Sequence, residues 1–545
     1  MVLKRFREEV KRIEQSPLSV SLFCALFLAI ALARTSLELF LVDGDAAPEA
    51  YFHYTMFYMA VFLAVAVILS VISGERVGRT SKAVLFAFLI ILLPPIIDFL
   101  LSWAIVGHPA LSMFKIAYPR GDHQFLLKSF SSFLMNTEGI SPGMLFEILA
   151  VVALSFLYVF SKTSSAFRAF LASFLIYSAI VLHGFIPALT VEEFSSSPLP
   201  KASTYAEAPQ IGSAFSVASR AIMNTPQKSE SGLSTVQMYF AISIALSLCA
   251  WFFLYDNSKF RSFFSGIQLT RLLHYLILAA GGMALAGLFS IPASNMPLPN
   301  ILMAFLSLSS AFLFAASVND IFDKNIDAVS NTKRPIPSGS LSRDELLLIS
   351  GFALSFSLVA SLAASFSMFI SVLTYSCLAL IYSVPPIRLR LYPFSSTVIA
   401  LCSLAAVIAG ASAIPSASSA APLSFSKIGF PFSIALFVSI ALGANFKDLK
   451  DLDGDRKDGV QNAITLFGKG NERLAAALFL FLAFISFPIL VLPDFLLLSA
   501  FLGAAAAISI LKLKNPEPFV FLAYFVLVLL IIADPGSLAI LAPAI

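Results

Sequence analysis

Long apolar runs follow one another down this chain, separated by short polar breaks. Six fall at about residues 17–33, 51–73, 83–107, 144–161, 169–190 and 236–255. Nine more fall at about 271–291, 300–322, 344–364, 367–384, 394–415, 428–447, 472–491, 495–511 and 518–541. A helix rising about 1.5 Å per residue needs about 20 apolar residues to cross about 30 Å of hydrocarbon. The pattern therefore predicts an all-α polytopic membrane protein, with about six transmembrane helices followed by a bundle of nine.

The polar breaks set the orientation. Basic residues gather in alternate breaks: Arg76, Arg79 and Lys82; Lys162 and Arg168; Lys259, Arg261 and Arg271; Lys333, Arg334 and Arg343; Arg388 and Arg390; Lys447, Lys450, Arg456 and Lys457; Lys512 and Lys514. The breaks between them, such as 38–49 and 291–300, are acidic or nearly uncharged. Because basic residues beside spans mark the cytoplasmic side, the expectation is a cell-membrane protein with its N-terminus inside. Arg34 and two long outer loops, 108–143 and 191–235, depart from the bias, and the second loop is rich in Ser, Pro and Ala without a catalytic pattern. Lys4, Arg5, Arg7, Lys11 and Arg12 before the first run resemble a signal-peptide n-region, yet the run is long and lacks a small-residue cleavage site, so it reads as a retained span. The polar stretch 256–270 divides an N-terminal membrane region, 1–256, from a C-terminal domain, 257–545.

Composition narrows the class. With 59% hydrophobic residues, 12% charged residues and a mean hydropathy of +0.90, the chain is no soluble domain. A net charge of +4 gives no reason to expect nucleic acid as a partner. Four cysteines inside apolar runs, without paired spacing, and five scattered histidines argue against zinc.

Two acidic clusters stand out against this background. On a helix, Asn319, Asp323 and Asp327 fall at i, i+4 and i+8, and Asp320 joins the two aspartates at i+3 and i+7, so all four share one face. Asp448, Asp451 and Asp455 repeat the spacing of Asp320, Asp323 and Asp327 four spans later, which suits an internal duplication. One such cluster is an ordinary solvated helix end. Two in one register, both on the expected cytoplasmic side, read as facing carboxylate sets that share hard divalent ions. Magnesium prefers oxygen ligands and is usually completed by substrate phosphates, which points to a diphosphate substrate.

Four motifs in order carry a family resemblance: Asn319-Asp320-x-x-Asp323-x-x-x-Asp327; Lys333-Arg334-Pro335; Tyr382-Ser383-Val384-Pro385-Pro386-Ile387-Arg388-Leu389-Arg390; and Asp448-x-x-Asp451-x-Asp453-Gly454-Asp455 with Thr465 and Gly468. Over residues of about 270–545 the chain resembles the UbiA-type intramembrane prenyltransferases, whereas the N-terminal half carries no resemblance. The resemblance implies a nine-helix prenyltransferase bundle around a pocket that opens to the cytoplasm and sideways to lipid. It implies one magnesium ion on Asn319, Asp323 and Asp327 and a second on Asp448, Asp451 and Asp455, with Asp320 and Asp453 as further ligands or as partners of a nearby Arg or Lys.

The chemistry follows from charge. Breaking the C1–O bond of an allylic diphosphate builds negative charge on the leaving group, and metals with fixed cations stabilise it where it develops. Lys333, Arg334, Arg388, Arg390 and Lys457 are candidates to clamp phosphate, bidentately for Arg and as a point charge for Lys. Tyr382 is placed to face an allylic cation through its ring or to orient the acceptor. The expected partners are a prenyl diphosphate, a lipophilic or phosphorylated small-molecule acceptor and the bilayer. The run from Asn319 to Gly339 resembles the ether-lipid branch acting on glycerol phosphate, and the Tyr382 stretch fits quinone-type branches as well. The alternatives are an ion-binding transporter, which needs acidic groups near the bilayer midplane, or a lipid-handling protein without transferase activity. A CDP-alcohol phosphatidyltransferase is set aside, because only Asp453-Gly454 of its pattern is present. In the N-terminal half, Asp98 after Pro94-Pro95 and His183 are ionisable groups at depth, each either functional or structural.

Overall fold

The structure is a computed structural model that describes residues 2–41, 48–106, 141–194, 231–292, 296–414, 428–534 and 536. Both long outer loops expected from the sequence fall almost entirely outside the described residues, as does the end of the last span. Twelve described helices are long and apolar enough to cross a membrane. A thirteenth crossing forms if Asn257–Ser265 and Leu269–Leu285, bent by 64°, count as one span. The remaining two expected spans appear as the shorter apolar helices Ser395–Ala411 and Glu517–Ala533. At 17 residues each they rise about 26 Å, just under the hydrocarbon thickness.

Contacts divide the chain between Asn257 and Ser258 into two compact units. The N-terminal unit contains α1 (Val2–Glu14), α2 (Val20–Leu41), α3 (Pro48–Ser73), α4 (Val77–Ala87), α5 (Leu93–Val106), α6 (Pro142–Thr163), α7 (Ala166–Phe194) and α8 (Ser231–Tyr255). Its core joins α1, α2, α3, α4, α6 and α7 through residues such as Val10, Phe27, Phe62, Leu85, Val159 and Ile176. Asp98 holds the start of α6: its carboxylate accepts from the Ser141 hydroxyl at 2.5 Å and, at 2.7 Å, from the Gly143 amide, one of the donors that a helix N-terminus leaves unpaired. His183 has one ring nitrogen 2.7 Å from the Ala179 carbonyl and the other 2.7 Å from the Ser243 hydroxyl, tying α7 to α8.

The C-terminal unit continues with α9 (Asn257–Ser265), α10 (Leu269–Leu285), α11 (Leu298–Phe322), α12 (Lys324–Ser330), α13 (Arg343–Ala364), α14 (Phe366–Ser383), α15 (Ser395–Ala411), α16 (Phe430–Gly443), α17 (Leu452–Asp458), α18 (Glu472–Val491), α19 (Leu496–Lys512) and α20 (Glu517–Ala533). Helix starts are written locally. Ser342 caps α13 in a reciprocal box with Glu345, and the Ser365 hydroxyl accepts from the Met368 amide to open α14. Small residues let α10 and α15 touch backbone to backbone. A Cβ on Gly282 would sit 2.0 Å from the Val407 carbonyl oxygen, and one on Gly410 would sit 2.0 Å from that of Ala279. Close approach through small residues is how helices gain packing energy where lipid is as apolar as the side chains.

This contact predicts a contrast. Gly282→Ala and Gly410→Ala should each lower the thermal unfolding midpoint of detergent-purified protein, by the loss of about 1–3 kcal/mol typical of overpacking. Gly351→Ala, within α13 and with nothing within 4 Å of the added atom, should leave the midpoint unchanged or raise it.

Candidate active site

The acidic runs do not continue their long helices. α11 ends at Phe322, and Asp323 is at once its C-cap and the residue before α12. The i+4 ladder nevertheless persists through the break: Asp323 donates its amide to Asn319 O at 2.8 Å, Asp327 to Asp323 O at 2.9 Å and Asn331 to Asp327 O at 2.8 Å. Backbone hydrogen bonds thus run through the break although the single helix does not. The second run copies the device. After α16 a 3-10 helix spans Ala444–Lys450, Asp451 precedes α17, and Asp451 and Asp455 donate to Asp448 O and Asp451 O at 3.1 and 2.7 Å. Asp323 and Asp451 thus each stand immediately before a helix of seven residues.

The two short helices lie against each other at Gly454. Its amide donates to Ser330 Oγ at 3.0 Å, and a Cβ there would meet the same oxygen at 2.7 Å and the Ile326 carbonyl at 2.8 Å. This contact brings the two carboxylate sets onto common donors. Asn331 Nδ2 donates to Asp327 Oδ1 at 2.9 Å and to Asp451 Oδ1 at 2.8 Å. Arg390 pairs with Asp323 and reaches Asp451 at 3.2 Å and Asp455 at 3.7 Å. Arg334 pairs with Asp320 at 2.5 Å. Arg388, in a left-handed backbone conformation at φ +38°, donates to Phe322 O at 2.9 Å and Asp323 Oδ1 at 3.1 Å. Such a conformation costs a non-glycine residue about 1–3 kcal/mol, and these two contacts hold it.

A cavity of about 310 Å³ opens from this ring into the bundle. Its polar end is lined by Asn319, Asp320, Asp327, Asp448 and Asp451, by Arg271, Arg334, Arg390 and Lys447, and by Tyr382. The rest of its wall is mostly apolar, with Leu278, Phe312, Leu436, Phe484 and Leu527. Lys447 Nζ donates to Tyr382 Oη at 2.6 Å and lies 4.8 Å from the ring centroid, so the ring predicted to face a cation already faces an ammonium. Lys333 and Lys457 are exposed and outside the cavity wall. Asp453 is on the surface, paired with Arg456 at 3.8 Å. Arg271, Lys447 and Asn331 were not among the residues that the sequence pattern singled out for the site. Asn331 was within reach, because it extends the 319, 323, 327 series by four.

The expected ligand sets need correction. Among the described residues no three His, Cys, Asp or Glu side chains converge on one ion position. Arg388 and Arg390 neutralise Asp323, and Asn331 rather than a third carboxylate links Asp327 to Asp451. The donor chemistry still fits magnesium. Asp327 Oδ2, Asp448 Oδ2 and Asp455 Oδ1 are buried without a hydrogen-bond donor, and this ion commonly takes one or two carboxylates and completes its shell with phosphate and water.

Burial pushes the carboxyls of Asp327 and Asp455 up from 3.8 to about 6 and about 7. A carboxyl raised in the folded state favours folding below its ordinary value and loses that contribution as pH rises through the raised one. Metal-free protein should therefore lose thermal stability between about pH 4 and about pH 7 through these two groups. Added magnesium should stabilise more at pH 8 than at pH 5, and the Asp327→Asn, Asp455→Asn double variant should flatten both trends in a thermal-shift measurement.

Known proteins bear on the same stretch. Residues 275–518 match the model of the UbiA prenyltransferase family, and no family model matches the N-terminal half. A chloroplastic 2-acylphloroglucinol 4-prenyltransferase of Humulus lupulus is 31% identical over 197 residues, covering 34% of this chain and 46% of that enzyme. The digeranylgeranylglyceryl phosphate synthase of Pyrococcus horikoshii is 27% identical over 191 residues, covering 35% of this chain and 65% of that one. The chain thus spans about half to two thirds of the length of these relatives. A solved UbiA homolog from Archaeoglobus fulgidus, bound to GPP and Mg2+, aligns over 51% of this chain and 99% of its own, with 19% identity and a TM-score of 0.40. The two acidic motifs and the basic loops between them lie within residues 275–518, the stretch that matches the UbiA prenyltransferase family model.

Proposed function

We propose that residues 257–545 form a magnesium-dependent prenyltransferase, which moves an isoprenyl group from its diphosphate to a lipophilic or membrane-adjacent acceptor. One observation carries the reading: two acidic segments and a set of arginines meet at the polar mouth of an otherwise apolar intramembrane cavity. A prenyl diphosphate has that same division, a polyanionic head on an apolar tail. The carboxylates stand in the last turn of α11 or just beyond the ends of α11 and α16, where a soluble diphosphate can reach them, rather than at mid-helix as a transporter would require. The alternation of basic breaks supports a cytoplasmic mouth.

In this mechanism Asp327 and Asp448 would hold the metal, each through an oxygen that lacks a donor, with Asp451 facing Asp327 across Asn331. Bound magnesium supplies Lewis-acid stabilisation of the diphosphate oxygens. Arg271, Arg334 and Arg390 at the mouth are poised to take phosphate oxygens as they gain charge, a role for which the fixed guanidinium fork is suited. The C1–O bond breaks, diphosphate departs with the electron pair, and the acceptor's nucleophilic atom bonds to C1 and loses its proton. Lys447 fixes the Tyr382 ring at the mouth, with its electron-rich face toward positive charge. The apolar wall keeps water from the allylic centre. The names of the relatives offer two acceptor classes, a phenol and a glycerol phosphate.

Full-length protein in lipid nanodiscs, given labelled geranylgeranyl diphosphate, magnesium and each acceptor class in turn, should yield a prenylated product with one of them. Asp327→Ala or Asp451→Ala should lower the rate about 10²–10³-fold, the usual cost of removing one electrostatic stabiliser. Product formation that persists without divalent metal, or in both variants, would overturn the reading.

A further inference from the structure

The cavity wall is not apolar throughout. His274 lines it on α10, three residues beyond Arg271 and so about 4.5 Å further along the helix from the mouth. Its Nε2 lies 2.9 Å from Ser403 Oγ on α15, and that hydroxyl donates to the Ile399 carbonyl at 2.8 Å. A hydroxyl has a single proton to donate. Ser403 therefore accepts from the histidine, and Nε2 is the ring nitrogen that bears hydrogen. In the neutral ring Nδ1 then carries the lone pair. Nδ1 makes no hydrogen bond among the described residues, and it is not shut off from the space that His274 lines. The imidazole lies against the rings of Tyr275 and Tyr524, with centroids 4.9 and 5.4 Å away, and both tyrosines line the same cavity.

We propose that His274 is the base that takes the acceptor's proton. The inference rests on the prenyltransferase reading above and adds the group that reading lacks. At the mouth, Asp320, Asp323 and Asp451 are engaged by arginines, Asp327 and Asp448 are assigned to metal, and Arg271, Arg334, Arg390 and Lys447 are cations with no lone pair to offer. The donor's C1 is bonded to a diphosphate oxygen, so it lies just inside the phosphates that the mouth holds, at the depth of the next helical turn. His274 stands on that turn. As the C1–O bond breaks, its electron pair leaves on the diphosphate, the acceptor's oxygen or ring carbon bonds to C1, and the acceptor's proton passes to Nδ1. The imidazolium gives that proton to the departing diphosphate, which restores the neutral ring. An acceptor newly bonded to C1 is cationic and far more acidic than imidazolium, so an imidazole without a carboxylate partner is base enough. Ser403 is a positioning residue that keeps the lone pair on Nδ1.

The test uses full-length protein in lipid nanodiscs with geranylgeranyl diphosphate, magnesium and a phenol or a glycerol phosphate, whichever the unaltered protein prenylates. His274→Gln should lower kcat about 10²–10³-fold, in the range typical of a lost general base, with KM for both substrates unchanged. It should bind a non-ionisable geranylgeranyl thiodiphosphate as the unaltered protein does, which also reports that the variant is folded. Ser403→Ala should show a smaller fall in kcat, again with both KM values unchanged. Full turnover in His274→Gln would overturn the assignment. Loss of donor binding in that variant would overturn it too, because His274 would then serve the donor site or the packing, and in both cases the transferase reading stands. If the unaltered protein prenylates neither acceptor, that reading fails and the assignment with it.

Discussion

Carboxylates crowded at the edge of an apolar bundle repel one another and cannot be held together except by cations or strong donors. In this chain six aspartates meet that constraint, and Arg390 and Asn331 bear most of it. Arg390 joins Asp323 of the first run to Asp451 and Asp455 of the second, and Asn331 joins Asp327 to Asp451. Remove those bridges and the two segments lose the reason to face each other. The oxygens without a hydrogen-bond donor on Asp327 and Asp448 are then the part of the ring open to an added cation.

The scaffold serves this arrangement. Gly454 lets α12 and α17 approach closely enough for the shared donors to reach both runs. Gly282 and Gly410 press α10 against α15, which sets one wall of the cavity. At both acidic runs an aspartate, Asp323 or Asp451, stands immediately before a helix of seven residues. Charge at the mouth and apolar surface behind it follow one another along α10 from Arg271 through Leu278 to Leu285.

Much of this was legible in the sequence, for physical reasons that can be named. Apolar run length gave the helices, because hydrocarbon thickness fixes how many residues a crossing needs. The 0, 3, 7 spacing pointed to the aspartates that line the cavity mouth, Asp320, Asp327, Asp448 and Asp451. Tertiary pairing was not legible. Spacing could not say that Arg390 would bridge both runs, that Arg334 would take Asp320, or that Lys447 would occupy the face of Tyr382. Lys333 and Lys457 were chosen because basic residues beside an acidic cluster all look alike in a sequence; only folding separates those that turn inward, such as Arg271, from those that stay in water. Asp98 and His183 looked costly at depth, and their hydrogen bonds to Ser141, Gly143, Ser243 and Ala179 show how that cost is met.

The central claim is that the two acidic runs act as one metal–diphosphate site. Electron paramagnetic resonance of manganese bound to the full-length protein with a non-ionisable prenyl thiodiphosphate tests it most directly. Magnetically coupled ions that require the diphosphate, and that disappear in Asp327→Asn and in Asp451→Asn alike, are the expected result. Isolated ions unaffected by the diphosphate, or a coupled signal that survives loss of either run, would contradict it.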